Sequence, residues 1–183
     1  GTFIVITDKE DPHKVMPHGE IGEICLEGPQ IMTGYWGREE ETREAVIDGR
    51  LHTGDVGYID EDGFTFIIDR MKDMILVGGF NVYPRFVEEA IYLHPAVEEA
   101  VVIGIPDDYM GEVPKAFVKL RAGYEDLTVE ALVEFLSERL AKHEVPRNME
   151  FRDDLPRTPV GKLSKKELVA EEAAKRAAAT ESA

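Results

Sequence analysis

The sequence is short of cysteine. Cys25 is the only one, so no disulfide framework can form within the chain and no cysteine cluster can hold zinc. Its setting, Ile24-Cys25-Leu26, predicts an inert buried thiol, and a reducing compartment, the cytoplasm, is the expected home. Long apolar runs are also lacking, and nothing approaches the ~20 residues that a membrane helix needs. Basic charge is in deficit: 21 Lys and Arg face 37 Asp and Glu, a formal net charge of −16. That balance argues against a nucleic-acid scaffold, which carries a basic face. It also gives weight to any local positive cluster, since an anionic ligand has to be held by one. Several catalytic signatures are absent. The five histidines, His13, His18, His52, His94 and His143, show no HExxH spacing. There is no GxSxG elbow and no GxxxxGK[ST] loop, and Gly78-Gly79 does not extend to GxGxxG. No metal-binding set is expected in this chain.

What is present is the balance of a folded domain, 43% hydrophobic and 32% charged residues in 183. The chain starts without Met, in the strand-like run Phe3-Ile4-Val5-Ile6 with no basic region before it. This suggests a piece of something longer rather than a signal peptide. Residues 1–70 read as β-rich: strands over Phe3–Thr7, Gly22–Glu27, Gly57–Asp60 and Phe64–Asp69, the last two joined by hairpin chemistry at Glu61-Asp62-Gly63. One or two helical turns fit Glu39–Ala45. Residues 71–168 read as α+β. A strand at Ile75–Val77 precedes Gly78-Gly79, and Pro84 opens a helix striped by Val87, Ala90 and Ile91 and ended by Pro95. Strands follow at Ala100–Ile105 and Lys115–Leu120. Thr128 caps a helix whose stripe is Val129, Leu132, Val133, Leu136 and Leu140, and Phe151 lies in a further strand. Residues 169–183, rich in Ala and charge, are a helical or disordered tail. The first part is too short for a comfortable core of its own.

Three segments could carry chemistry. In Leu51-His52-Thr53-Gly54-Asp55-Val56-Gly57, a carboxylate held between glycines could accept both hydroxyls of a sugar diol; it could equally cap its own turn. In Asp69-Arg70-Met71-Lys72-Asp73, Arg70 offers a planar fork, and the following Gly78-Gly79 lets backbone approach a ligand. The same stretch also fits a plain interdomain linker. The segment Pro156–Lys166 holds four positive residues and no acid. A lysine on such a loop can swing to a phosphate or carboxylate, and the bland alternative is a solvated basic turn ahead of a C-terminal helix.

Taken together and in this order, the segments resemble the adenylate-forming superfamily of acyl-CoA synthetases, firefly luciferases and peptide-synthetase adenylation domains. Gly19–Ile24, Gly28–Trp36, Ile105-Pro106-Asp107 and Gly111-Glu112 add to the likeness, which runs from about Gly19 to Leu168. The resemblance implies a β-rich remnant of a large N-terminal domain, its distorted β-barrel subdomain, followed by a small mobile α+β C-terminal domain. It implies ATP, CoA and Mg2+ as participants, the Mg2+ held with ATP mostly by the missing N-terminal domain. Asp55 and Arg70 would bind the ribose of ATP, Lys72 would be the hinge, and Lys162 would stabilise the forming acyl-adenylate. Gly78, Gly79 and Phe80 would line the pantetheine tunnel.

The implied activity is activation of a carboxylic acid, a fatty acid in the first instance, followed by transfer to CoA through domain alternation. The isolated piece is expected to be inactive. Loading of a carrier protein and a non-catalytic binding module are the alternatives, and peripheral membrane contact and a homodimer stay open as partners. The run from Asp69 to Pro84 is similar to medium- and long-chain fatty acyl-CoA synthetases; luciferases carry a second lysine where this chain has Leu76. Phe86, His143-Glu144 and Arg50 depart from the family pattern, with Glu144 expected to reverse a charge near the lysine loop.

Overall fold

The computed structural model describes residues 1–181. The chain divides into two compact units, Gly1–Lys72 and a second that begins at Asp73. In the first, strands β1 (Phe3–Thr7), β2 (Gly22–Glu27), β3 (Val46–Ile47), β4 (Arg50–Ile59) and β5 (Thr65–Arg70) form one sheet, with helix α1 (Glu39–Ala45) before β3. The order is β1-β2-β4-β3, with β5 also on β4 and every pairing antiparallel. β4 is the organiser. β2 pairs along it from Leu51 to Gly57, while β3 takes Arg50 and Leu51 and β5 takes Asp55 to Ile59. Only Ile6, Ile24, Cys25 and Val56 form the buried apolar centre of this unit, in keeping with a segment too short to build a large core.

One expectation is corrected here. Asp55 does not lie in a turn between strands; β4 runs unbroken through it. Gly54 takes the left-handed φ of 73° inside the strand, and the local irregularity is absorbed by side chains of β2, which the sequence pattern alone does not reveal.

The second unit contains β6 (Ile75–Val77), β7 (Phe80–Val82), α2 (Pro84–Tyr92), β8 (Val97–Asp107), β9 (Gly111–Leu120), α3 (Val129–Ser137), β10 (Asn148–Phe151) and α4 (Lys165–Glu181). β9 is central: β8 lies antiparallel along its whole length, while β10 (parallel) and β6 share its other edge. Pro84 sits in the first turn of α2, where its missing N–H costs nothing. Thr128 Oγ1 accepts the Ala131 N–H at 3.2 Å, closing the N-terminus of α3. Leu140 falls beyond the end of α3 at Ser137 yet is still buried.

Both faces of this sheet are covered. Val82, Val87, Ile91, Val102, Val118, Leu132 and Leu136 belong to one core cluster. Val101, Ile103, Phe117, Leu155 and Leu168 make the other, beneath the start of α4. Successive residues of β8 therefore face opposite cores, which is why the strand reads as a continuous apolar run. α4 is bound to the sheet side by ion pairs: Lys115 to Glu172 at 2.8 Å, Arg152 to Glu171 at 2.7 Å and Lys175 to Glu150 at 3.2 Å, with Arg152 also paired to Glu150 at 2.8 Å. The expected disorder of the last residues lies outside the described residues.

Candidate functional site

In the first unit Asp55 and Arg70 are register partners across β4 and β5. Arg70 Nε lies 3.0 Å from Asp55 Oδ1, and a terminal guanidinium nitrogen donates to the Thr53 carbonyl at 3.2 Å. The Asp55 side chain is 34% exposed, so one carboxylate oxygen is engaged while the group as a whole stays open to a ligand. The strand beneath is held by Glu23. One of its carboxylate oxygens accepts the Gly54 N–H at 2.9 Å, and the other accepts from His52 Nδ1 at 2.7 Å. Thr53 Oγ1 donates to the Ile24 carbonyl at 2.7 Å and accepts the Asp55 N–H at 3.1 Å.

Among the described residues, Glu23, Cys25 and His52 are the one group whose metal-ligating atoms converge, all within 4.8 Å. The converging atoms are already engaged with one another, while the other ring nitrogen of His52, Nε2, is buried with no hydrogen bond among the described residues. Cys25 Sγ lies 3.4 Å from His52 Nδ1 and 3.3 Å from Thr7 Oγ1, and burial pushes the thiol pKa up against the pull of the Thr7 hydrogen bond. The trio is a hydrogen-bonded brace under the Asp55 strand; an ion entering it would break the bonds that set the backbone there.

In the second unit, Gly78 and Gly79 form the β6–β7 turn with φ of 56° and 88°. The Gly78 N–H donates to the Met110 carbonyl at 2.8 Å, and a Cβ on Gly78 would come within 2.6 Å of Met110 Cε. The β8–β9 hairpin tip thus buttresses the turn. Asp107 folds that tip by accepting the N–H groups of Met110 at 2.8 Å and Tyr109 at 2.9 Å, bonds that lower its pKa. Glu112 accepts the Leu76 N–H at 3.1 Å. Beside the turn lies a groove of about 550 Å³ lined by Phe80, Met110, Pro114, Lys142, His143 and Arg147 among others. The rings of Phe80 and His143 stack at 4.6 Å. The His143-Glu144 departure therefore falls beside this groove, and Glu144 is engaged in accepting the Ala141 N–H at 2.8 Å.

Lys162 stands on a tight loop ahead of α4. Its backbone N–H donates to Thr158 Oγ1 at 3.2 Å, and its carbonyl accepts the Thr158 N–H at 2.7 Å. Gly161 takes φ of 82°. Arg157 bridges to Leu163 along the backbone, donates to the Gly161 carbonyl at 3.0 Å and pairs with Glu99. The Lys162 ammonium itself is exposed and has no partner among the described residues. The loop's backbone is held by hydrogen bonds while its charge is free.

These contacts fix where the two functional segments of the second unit lie. The Gly78-Gly79 turn meets the β8–β9 hairpin at Met110 and Gly111. The lysine loop is tied to Glu99, eight residues back along β8 from Asp107, or roughly 25 Å at the rise of a strand. They occupy opposite ends of one sheet. Glu144, next to the groove at Phe80, is accordingly not near the lysine loop, contrary to expectation: β10 carries the chain from one end to the other. Glu23, Glu112, Glu99 and Arg157 were not singled out as partners in the sequence, because single charged residues on strands carry no spacing signal.

Residues 87–162 match the AMP-binding enzyme C-terminal domain. The second unit carries this domain, and over most of its length the chain is homologous to CoA ligases. It is 53% identical over 171 residues to a long-chain-fatty-acid–CoA ligase of Bacillus subtilis (strain 168), a span of 93% of this chain and 30% of that protein. To a 2-succinylbenzoate–CoA ligase of Bacillus cytotoxicus it is 46% identical over 159 residues, 87% of this chain and 32% of that one. The ATP-bound structure of MatB from Rhodopseudomonas palustris superposes with a TM-score of 0.85 at 39% identity, covering 92% of this chain and 33% of that one. The Bacillus subtilis o-succinylbenzoate CoA synthetase with its acyl-adenylate OSB-AMP gives 0.80 at 38% identity, 91% and 33%. The chain thus spans about a third of the length of these relatives.

Proposed function

We propose that the protein to which this chain contributes is an AMP-forming acid–thiol ligase. In the first half-reaction a substrate carboxylate oxygen attacks the α-phosphorus of ATP, the bond to pyrophosphate breaks, and an acyl-adenylate forms. In the second the sulfur of CoA attacks the acyl carbon, AMP leaves, and the thiol proton passes to solvent. Asp55, with Arg70 fixing its orientation, accepts the ribose hydroxyls. Lys162 brings a positive charge to the carboxylate and α-phosphate as they meet, offsetting the repulsion that makes the attack slow. Gly78 and Gly79 let the pantetheine arm pass close to the backbone, with Phe80 as its apolar wall; Lys142 and Arg147 offer charge to the phosphates of CoA. Lys72, at the division between the two units, is the hinge. We assign Mg2+ to the triphosphate of ATP and to no residue of this chain, and the cytoplasm as the place of action. No described helix is long and apolar enough to cross a membrane.

The observation that supports this reading best is the placement of the unpaired Lys162 and the Gly78-Gly79 turn at opposite ends of the β8–β9 hairpin. One reaction point cannot meet both at once, so a two-step reaction at that point needs the second unit to turn. For the acid we favour a long-chain fatty acid, on the 53% identity to the Bacillus subtilis ligase. An aromatic acid such as 2-succinylbenzoate is the second reading, on the 46% identity to ligases of that kind. The test is to incubate the full-length ligase with ATP, Mg2+, CoA and acids from acetate to palmitate with 2-succinylbenzoate, and to identify products by mass spectrometry. Palmitoyl-CoA is expected. Acyl-adenylate without acyl-CoA would indicate a carrier-protein acceptor, and neither product would leave a binding module as the better account.

A further inference from the structure

The segment from Pro156 to Lys166 holds four cations, and the role given to Lys162 uses only one. Lys165 is engaged with Glu88 at 3.1 Å. Arg157 joins three parts of the molecule. One guanidinium nitrogen donates to the Gly161 carbonyl at 3.0 Å, another pairs with Glu99 of β8, and the Arg157 backbone bridges to Leu163. Glu99 is an unusual partner. Its side chain is only 17% exposed, and its second oxygen is buried with no hydrogen bond among the described residues. Since Gly161 precedes Lys162, a single guanidinium brings together Glu99 and the root of the Lys162 side chain.

We propose that Arg157 is the positioning residue of the lysine loop: it fixes the loop at Gly161 and, by occupying Glu99, keeps that carboxylate from capturing Lys162. This deepens the role proposed above for Lys162 and rests on it. The physical case is one of supply and demand for charge. A largely buried carboxylate must be paired. Lys119, the register partner of Glu99 on β9, is already held by Glu98 at 3.0 Å, so without Arg157 the demand falls on Lys162, whose loop Arg157 ties to Glu99. A lysine held on Glu99 can no longer reach a phosphate. Only arginine has the planar fork to serve a carbonyl and a carboxylate together; a lysine at position 157 supplies a single point charge, enough for Glu99 but not for Gly161 as well.

The test compares Arg157→Gln, Arg157→Lys, Glu99→Gln and the double variant Arg157→Gln/Glu99→Gln in the full-length ligase. ATP–pyrophosphate exchange reads adenylation, and conversion of supplied acyl-adenylate reads thiolation. Arg157→Gln is expected to lower the exchange kcat roughly ten- to a hundredfold with little change in KM for ATP, as displacement of a reacting group does, and to leave thiolation within about twofold. Arg157→Lys should fall between. The double variant should exchange faster than Arg157→Gln, because the captor is gone, and Glu99→Gln alone should cost little. Equal loss of both half-reactions, unchanged exchange in Arg157→Gln, or a double variant no faster than the single one would overturn the proposal. Should Arg157→Gln not fold, Arg157→Lys, which keeps Glu99 paired, tests the hold on Gly161 by itself: slower exchange with thiolation kept is expected, and unchanged exchange would overturn the proposal. Absent exchange in the wild type, or full exchange in Lys162→Ala, would instead bring down the role of Lys162, so the two failures are separable.

Discussion

Asp55 and Arg70 are positioned by strand register, and the carboxylate keeps room for a second partner beyond the guanidinium. Replacing Asp55 by Asn preserves shape and removes charge. A charge-assisted hydrogen bond contributes about 1.5–3 kcal/mol, so KM for ATP in the intact ligase should rise at least about tenfold, with the fold unchanged by circular dichroism. An unaltered KM would remove Asp55 from the nucleotide site. Gly78 is demanding for a different reason. Its φ of 56° and its closeness to Met110 Cε mean that Gly78→Ala stores about 1–2 kcal/mol of backbone strain and pushes Met110 into the groove. Thiolation of supplied acyl-adenylate should slow while pyrophosphate exchange persists; loss of exchange instead would show that the turn serves the first step. At this scale the sequence displayed the residues that stand in motifs, and hid their supports. Glu23 acts on His52 from 29 residues away and Glu99 on Arg157 from 58, separations that only a folded sheet brings together.

Helices α2 and α3 were legible because each has a local device, Pro84 in one case and Thr128 in the other, and a stripe of the right period. The strands were legible where they are apolar and not at their ends. β8 extends past its apolar run to Glu98 and Glu99 on one side and Pro106 on the other, and β3 and β7 are too short to show a period at all. Their existence depends on the neighbour they pair with. α4 was only partly legible, since its first turn buries Leu168 while its later turns are held by charge. Burial alone would raise the pKa of Glu150, but hydrogen bonds from Arg152, Lys115 and Lys175 carry it down to about 2. Glu172 is lowered in the same way, by Lys115 and Lys175 against its own burial. A carboxylate with a depressed folded pKa lends stability that is complete above its unfolded value, near 4.5, and is lost as pH falls through the folded one. Acidifying the chain from pH 5 to 2 should therefore release α4, read as loss of helical signal at 222 nm. Glu150→Gln should weaken α4 at neutral pH and flatten that titration; an identical titration in the variant would exclude this anchoring.

For the whole molecule, the change of composition near residue 70 and the division after Lys72 fall close together, because the apolar residues are so unevenly shared. Both large core clusters lie in the second unit. Residues 73–181 expressed alone should therefore unfold in one cooperative transition on heating, whereas residues 1–72 alone should not; a cooperative first unit would mean that its few buried residues suffice. Purified as it stands, the 183-residue chain should form no acyl-adenylate, with mass spectrometry after incubation with ATP, Mg2+ and palmitate as the check. The β8–β9 hairpin carries a last consequence. In a ligase built on this unit, the sequence of events is enforced by a length and not by an affinity. While one end of a roughly 25 Å hairpin attends the reacting atoms, the other is out of range, however much CoA is present. Excess thiol should then be unable to hurry the first bond or to bypass it, and turnover at saturation should bear the time of one reversal per product.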